Sequence, residues 1–190
     1  SLSSALPSRL APGPRAYFAN QNLIKSKLIT KEAKLRLYWT TIRPVVTYAC
    51  ETWVLKESVI QKLLIFERRI LRRIFGPTKD RDGSWRIKTN NELNKLINNQ
   101  NIINFIRAMR LSWFGHVKRM EDQRLVKGIY KWKPLGARAA GRPKKRWEDD
   151  VVKDLKKLRT TNWMVVIQNR SSWKKLVEKA KTFNFEVVVP

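Results

Sequence analysis

Residues 58–77 read SVIQKLLIFERRILRRIFGP, and their spacing decides the fold class. At 100° per residue, Ile60, Leu63, Leu64, Leu71 and Ile74 gather on one face of a helix. Arg68, Arg69, Arg72 and Arg73 fall on the other. Apolar residues three and four apart, rather than alternating, are the mark of a helix and not of a strand. Ser58 and Gln61 predict a capping box at its start, and Gly76-Pro77 supplies the stop. Glu67 is the exception, an acid inside the apolar arc. With only that acid nearby, the arginine face favours phosphate contact over mere solvation.

The helical period continues in both directions. Upstream, residues 31–54 (KEAKLRLYWTTIRPVVTYACETWV) predict a helix capped by Thr30. Pro44 should kink or split it, because proline removes one backbone donor. Downstream, a polar turn at TKDRDGS (78–84) leads to Thr89 and Glu92, a second capping box opening NNELNKLI. A longer run from Asn101 to about Met120 places Ile102, Ile106, Met109, Trp113 and Val117 on its apolar face. Arg107, Arg110, Lys118 and Arg119 are its exposed candidates for phosphate contact. His116 follows Gly115 among large apolar residues, and with no second histidine or cysteine motif it reads as a core histidine rather than a catalytic one.

Two helices close the chain: roughly 147–159, with Trp147, Val151, Leu155 and Leu158 inward, and 163–181, with Trp163, Ile167, Trp173 and Val177 inward. The tail FNFEVVVP reads as frayed rather than as a short strand. The expected fold is all-α: amphipathic helices in a small bundle, a basic Gly/Pro linker and a C-terminal helix pair. The corresponding divisions are a flexible lead (1–14), a helical segment (15–76), connecting helices (77–131), the linker (132–146), and the helix pair with its tail (147–190).

Composition narrows the partners. The 190 residues carry 41 Lys and Arg against 15 acids, a net charge of +26. A compact chain avoids self-repulsion of that size unless a polyanion neutralises it, so nucleic acid (RNA, DNA or their hybrid) is the expected partner. An anionic membrane fits less well, because the cations are spread along the chain and interleaved with eight tryptophans. Cys50 is the single cysteine, which excludes an internal disulfide and a Cys-built zinc site and suits an intracellular compartment, nucleus or cytoplasmic ribonucleoprotein. His116 alone rules out His-pair metal sites. No apolar run approaches the roughly 20 residues of a spanning helix, and the opening SLSSALPSRLAPGP lacks the basic leader of a signal peptide. No small-molecule substrate is expected.

The stretch GRPKKRWEDDVV (141–152) holds two candidate chemistries. A polymerase's magnesium-binding aspartate pair must converge on phosphates from a rigid turn between strands. Here Pro-Lys-Lys-Arg precedes the acids and a helical period follows, so Glu148, Asp149 and Asp150 read as first-turn acids favoured by the helix dipole. Asp154-Leu155-Lys156 gives a nuclease-like D-x-K, but in mid-helix and without a partner acid. The basic half, with Arg138, Arg142, Lys144, Lys145 and Arg146, is a nucleic-acid-binding candidate. Gly141-Arg142-Pro143 resembles the core of an AT-hook, although Ala140 stands where the hook has an arginine. Minor-groove insertion and a plain basic loop both remain open.

The order of motifs carries a larger resemblance. RAYFANQNLIKSKLITKEAKLRLYWTTIRPVVTYACETWVL, FERRILRRIFGP, RLSWFGHVKRM, GRPKKRWEDDVVKDL and NRSSWKKLV follow one another as in the carboxy-terminal part of non-LTR (LINE-like) retrotransposon reverse transcriptases. The resemblance covers about Arg15 to Phe183, and it departs at Ala49, where the family has glycine in Tyr-Gly-x-Glu-x-Trp. It implies a thumb-like segment followed by the element's carboxy-terminal region. In the family the magnesium-dependent palm of the RNA-directed DNA polymerase, and the endonuclease, lie upstream. The resemblance therefore implies no catalytic residue, cofactor or enzyme activity for this chain alone. A domesticated host DNA-binding module and a decayed element reading frame are the alternatives.

Overall fold

The computed structural model describes residues 12–132, 147–160 and 162–185. The helices are α1 (Pro12–Ala19), α2 (Gln21–Lys25), α3 (Lys31–Leu37), α4 (Arg43–Val46), α5 (Glu57–Phe75) and α6 (Asn90–Leu96). After them come α7 (Ile102–Arg119), α8 (Leu125–Lys131), α9 (Trp147–Lys157), α10 (Trp163–Val166) and α11 (Arg170–Thr182). The strands among the described residues are one short antiparallel pair, β1 (Thr78–Lys79) and β2 (Trp85–Arg86). The chain is all-α, as its periodicity requires. Two compact units divide it, one drawn from Ser1–Ala49 and Leu55–Asn104, the other from Cys50–Val54 and Phe105–Pro190.

In the first unit, α1 begins at Pro12, inside the stretch expected to be a flexible lead. Proline is tolerated in a first helical turn, where its missing N–H would be unsatisfied anyway. A Cβ on Gly13 would meet Val46 at 2.6 Å, so this glycine permits close packing. Thr30 caps α3 as expected, its hydroxyl accepting from Ala33 N. Ahead of Pro44 the chain widens into a π-helical turn at Tyr38–Ile42. Proline lacks the N–H that would bond four residues back and crowds that carbonyl, which produces such a turn. The helix then ends at Val46, well short of residue 54, and Ala49 adopts a left-handed φ of 55°. That φ is why a glycine suits the position.

α5 starts at Glu57, with Lys56 at the cap and no side chain capping it. The expected Ser58–Gln61 box does not form, because Ser58 already lies within the first turn and Gln61 Nε2 donates to Glu57 Oε1 at 2.7 Å. Gly76, with φ 71°, ends the helix as its sequence implies. The Thr89–Glu92 box closes in both directions. Ile24, Tyr38, Ile42, Ile70 and Ile74 form one core cluster, and Leu71, Leu93 and Ile97 form another.

Glu67 lies between those layers, 1% exposed. Tyr38 Oη donates to its Oε1 at 2.9 Å and Ile102 N donates to its Oε2 at 2.8 Å. One carboxyl thus joins the π-helical turn, α5 and the first residue of α7, where a helix N-terminus favours negative charge. Asn101 Oδ1 adds a cap on Asn104 N. Burial pushes the Glu67 carboxyl up to about 7, against the pull of Ile102 N–H, the Tyr38 hydroxyl, Arg43 and Arg68.

The second unit is built on Ala108, Leu111, Phe114, Val151, Leu155, Leu158, Ile167 and Trp173. Gly115 permits its closest approach: a Cβ there would meet Trp173 Nε1 at 2.1 Å, and that nitrogen donates to Leu111 O at 3.0 Å. The helix expected over 163–181 is split into α10 and α11, because Asn169 caps a new start by accepting from Ser172 N. His116 is exposed beside Trp113, not buried as expected, because α7 turns its neighbours Gly115 and Val117 inward. The start of the tail packs instead of fraying: Phe185 is buried, its ring centroid 4.9 Å from that of Phe183.

Three outcomes follow for stability. A carboxyl with a raised native pKa binds more protons folded than unfolded, so its contribution is largest below the ordinary value of 4.5 and falls as pH rises toward 7. The unfolding free energy of wild type, measured against that of Glu67→Gln by urea titration, should therefore fall by about 3 kcal/mol across that window. Gly115→Ala should cost about 1–3 kcal/mol or more by overpacking against a rigid indole. Gly128→Ala, whose Cβ would meet nothing within 4 Å, should gain about 0.5–1 kcal/mol.

Candidate nucleic-acid interface

The helical period of α5 turns its cations into a stripe. Ile65, Arg68, Arg69 and Arg72 stand three or four residues apart, and with Asn90 they line an open groove of about 450 Å³ in the first unit. Arg69 and Arg73 are exposed and Arg68 half-buried. Arg72 is anchored: its Nε donates to Lys88 O at 3.3 Å and its Nη2 to Asn90 Oδ1 at 2.8 Å. These bonds fix the C-terminal end of the stripe. Arg72 and Arg73 also lie in the last turn of α5, where cations complement the dipole.

The hairpin beside this groove is held by charge. Arg86 pairs with Asp80 at 2.9 Å and with Glu92 at 2.6 Å. The Arg86 hydrogen bonds, with that from Thr89 N, hold the Glu92 carboxyl down at about 2. Lys88 Nζ donates to Thr78 Oγ1 at 2.7 Å.

The second expected cation set has a different fate. Arg110 is 1% exposed, its Nη1 3.3 Å from Asp154 Oδ2 and its Nη2 3.5 Å from Asp150 Oδ2. Arg107 Nε lies 3.3 Å from Asp154 Oδ1, and its guanidinium sits 4.2 Å from the Phe185 ring centroid. The expectation that Arg107 and Arg110 face solvent is corrected: α9 presents Asp150 and Asp154 to them, leaving Arg110 buried and Arg107 largely covered. Burial pushes the Asp154 carboxyl up and outweighs the opposing pull of Arg107 and Arg110. Lys118 pairs with Glu148 at 3.0 Å, 4.9 Å from the Tyr130 ring centroid, and Arg119 Nη1 donates to Ile167 O at 2.8 Å. These two are also tied to the unit's own structure. Arg110 falls in step with Ile106, Trp113 and Val117, but only Asp150 and Asp154 decide that its charge is buried.

Sequence reading also missed Asn90, Lys127 and the role of Glu67. Lys127 is buried, its Nζ donating to Val117 O at 3.1 Å and Lys118 O at 2.6 Å, where it closes the C-terminus of α7. Arg138, Arg142, Lys144, Lys145 and Arg146 lie outside the described residues.

Asp150 and Asp154 are engaged by Arg110 while Asp149 is exposed, and the described residues contain no group of three or more His, Cys, Asp or Glu able to hold a metal. No described helix is long and apolar enough to cross a membrane.

What the geometry defines is a mainly helical, strongly basic chain with an arginine-lined groove on α5. The chain is 23% identical over 173 residues to a Caenorhabditis elegans protein described as an uncharacterized transposon-derived protein, covering 88% of this chain and 61% of that relative. That likeness supports a transposon origin. No protein-family profile matches the chain, and no solved structure does.

Stability separates the two arginine sets. Arg110→Gln should cost about 3–5 kcal/mol in urea unfolding, because it strands buried carboxylates. Arg69→Gln, on the exposed stripe, should stay within about 0.5 kcal/mol of wild type.

Proposed function

We propose that the chain is a nucleic-acid-binding segment of a retroelement reverse transcriptase, of the thumb and post-thumb kind, that grips template RNA and primer DNA through their phosphates. The observation that carries this is the α5 arginine stripe, which lines an open groove on a chain of net charge +26. The order of the five motifs and the likeness to a transposon-derived protein support the retroelement origin. Arginines on a helix surface position a backbone without reading sequence, so the segment holds a duplex or strand rather than selecting one. The polymerase chemistry belongs to a palm that these residues do not supply.

Binding should be steeply salt-sensitive. With six to ten phosphates neutralised, affinity falls by about 10³- to 10⁵-fold between 50 and 200 mM salt. Converting Arg68, Arg69, Arg72 and Arg73 together to glutamine should weaken binding and flatten the log–log salt slope by about three to four, with the helix intact, since glutamine has similar helix propensity. Fluorescence anisotropy with a labelled RNA–DNA hybrid measures both. A flat salt response in wild type, or an unchanged slope in the folded quadruple variant, defeats the phosphate reading.

A further inference from the structure

The hairpin beside the arginine groove is inside out. Its register pairs Thr78 with Arg86 and Lys79 with Trp85, and side chains alternate along the strand. Arg86 and Lys88 are half-buried, Arg86 held by Asp80 and Glu92 and Lys88 by Thr78. Trp85 and Ile87 consequently face water, 66% and 74% exposed. A short strand ordinarily turns its apolar side to the core and its charges to solvent. Here the ion-paired Arg86 takes the half-buried side and the indole of Trp85 stands outward.

We infer that Trp85 is a stacking platform for an unpaired base of a nucleic-acid strand whose phosphates lie along the α5 arginines. This rests on the phosphate-binding reading above and names the form of strand that the same site takes. Three observations select this occupant over another protein surface. The platform is bordered by cations: Lys79 Nζ lies 6.0 Å from the Trp85 ring centroid, and Arg81 is exposed at the tip. Asp80 in the hairpin and Glu92 in α6 both pair with Arg86, and Asp82 at the turn is bonded to Ser84, so Lys79, Arg81, Arg86 and Lys88 outnumber the three acids by one. The platform is also fastened to the groove, because Arg72 bonds Lys88 O and Asn90 Oδ1. Trp85 stands three residues before Lys88, at most about 11 Å of extended chain, a spacing that one or two nucleotides bridge. A π-face accepts any base, so the stacking adds affinity for unpaired strands without sequence preference.

The test compares wild type, Trp85→Ala, Trp85→Phe and the quadruple arginine-to-glutamine variant by anisotropy. The probes are a labelled 12-nucleotide single strand, as RNA and as DNA, and a blunt duplex of the same sequence. Circular dichroism confirms that each variant is folded, as the exposure of Trp85 leads one to expect. Trp85→Ala should lower single-strand affinity about five- to hundredfold, leave the blunt duplex within twofold, and be largely rescued by phenylalanine. A loss on both strands makes the shared base the ligand, and a loss confined to one identifies RNA or DNA as its source. A strand carrying abasic sites should bind wild type and Trp85→Ala equally. Unchanged single-strand binding by Trp85→Ala, or equal losses on strand and duplex, overturns the platform. If the arginine variant is weakened in that same experiment, the phosphate reading survives that result. A wild-type dimer in sedimentation that Trp85→Ala converts to monomer also overturns it, because the indole face is then a contact between copies of this chain.

Discussion

The architecture of the arginine helix depends on one buried carboxyl. Glu67 sits among apolar neighbours and is tolerated because both of its oxygens are bonded, to the Tyr38 hydroxyl and the Ile102 amide. Those two partners lie 29 positions before it and 35 after it, so one side chain fixes the π-helical turn, α5 and the start of α7 together. A buried charge without partners is costly, whereas a bonded one specifies a single arrangement. Rotating α5 by one residue would leave three polar groups stranded. The direction in which the arginines point is therefore set from the opposite side of the helix.

The cations of α5 and α7 begin alike and end differently. Both helices carry arginines three or four apart, yet Arg69 stays exposed and Arg110 is sealed against Asp150 and Asp154. The difference is the element each helix meets. α9 brings acids at spacing four to α7, and the pairing offsets the cost of removing those charges from water. α5 meets the hairpin exit, which offers Lys88 O and Asn90 Oδ1 to Arg72 but no acid to Arg69 or Arg73. Net charge alone would count all of these arginines as available. The structure divides them into those paired inside the unit and those, such as Arg69 and Arg73, left exposed.

Glycine and proline act here through close approach and lost donors more than through flexibility. Gly13 and Gly115 make room for Val46 and Trp173, and Pro44 opens a π-helical turn that brings Tyr38 to Glu67. Pro12 and Pro14, read locally, suggest a breaker, but they stand in the first turn of α1. Local rules treat each of these residues as an interruption. Packing buries Gly13 and Gly115, while Pro14 and Pro44 stay on the surface.

The sequence by itself determined the fold class, the cap at Thr30, the box at Thr89 and Glu92, the stop at Gly76 and the arginine stripe of α5. Each of these depends on residues within a turn or two of one another, where periodicity and capping chemistry act. It did not determine the helices at Pro12–Ala19 and Gln21–Lys25, the split of the last helix, the exposure of His116, the burial of Arg110 or the outward face of Trp85. Those outcomes turn on partners far along the chain, such as Asp154 for Arg110 and Glu92 with Asp80 for Arg86. A period states which residues share a face. Only the partner that face meets decides whether a charge on it is buried in a pair or left in water, because the desolvation cost is set by the tertiary neighbour and not by the helix that carries the charge.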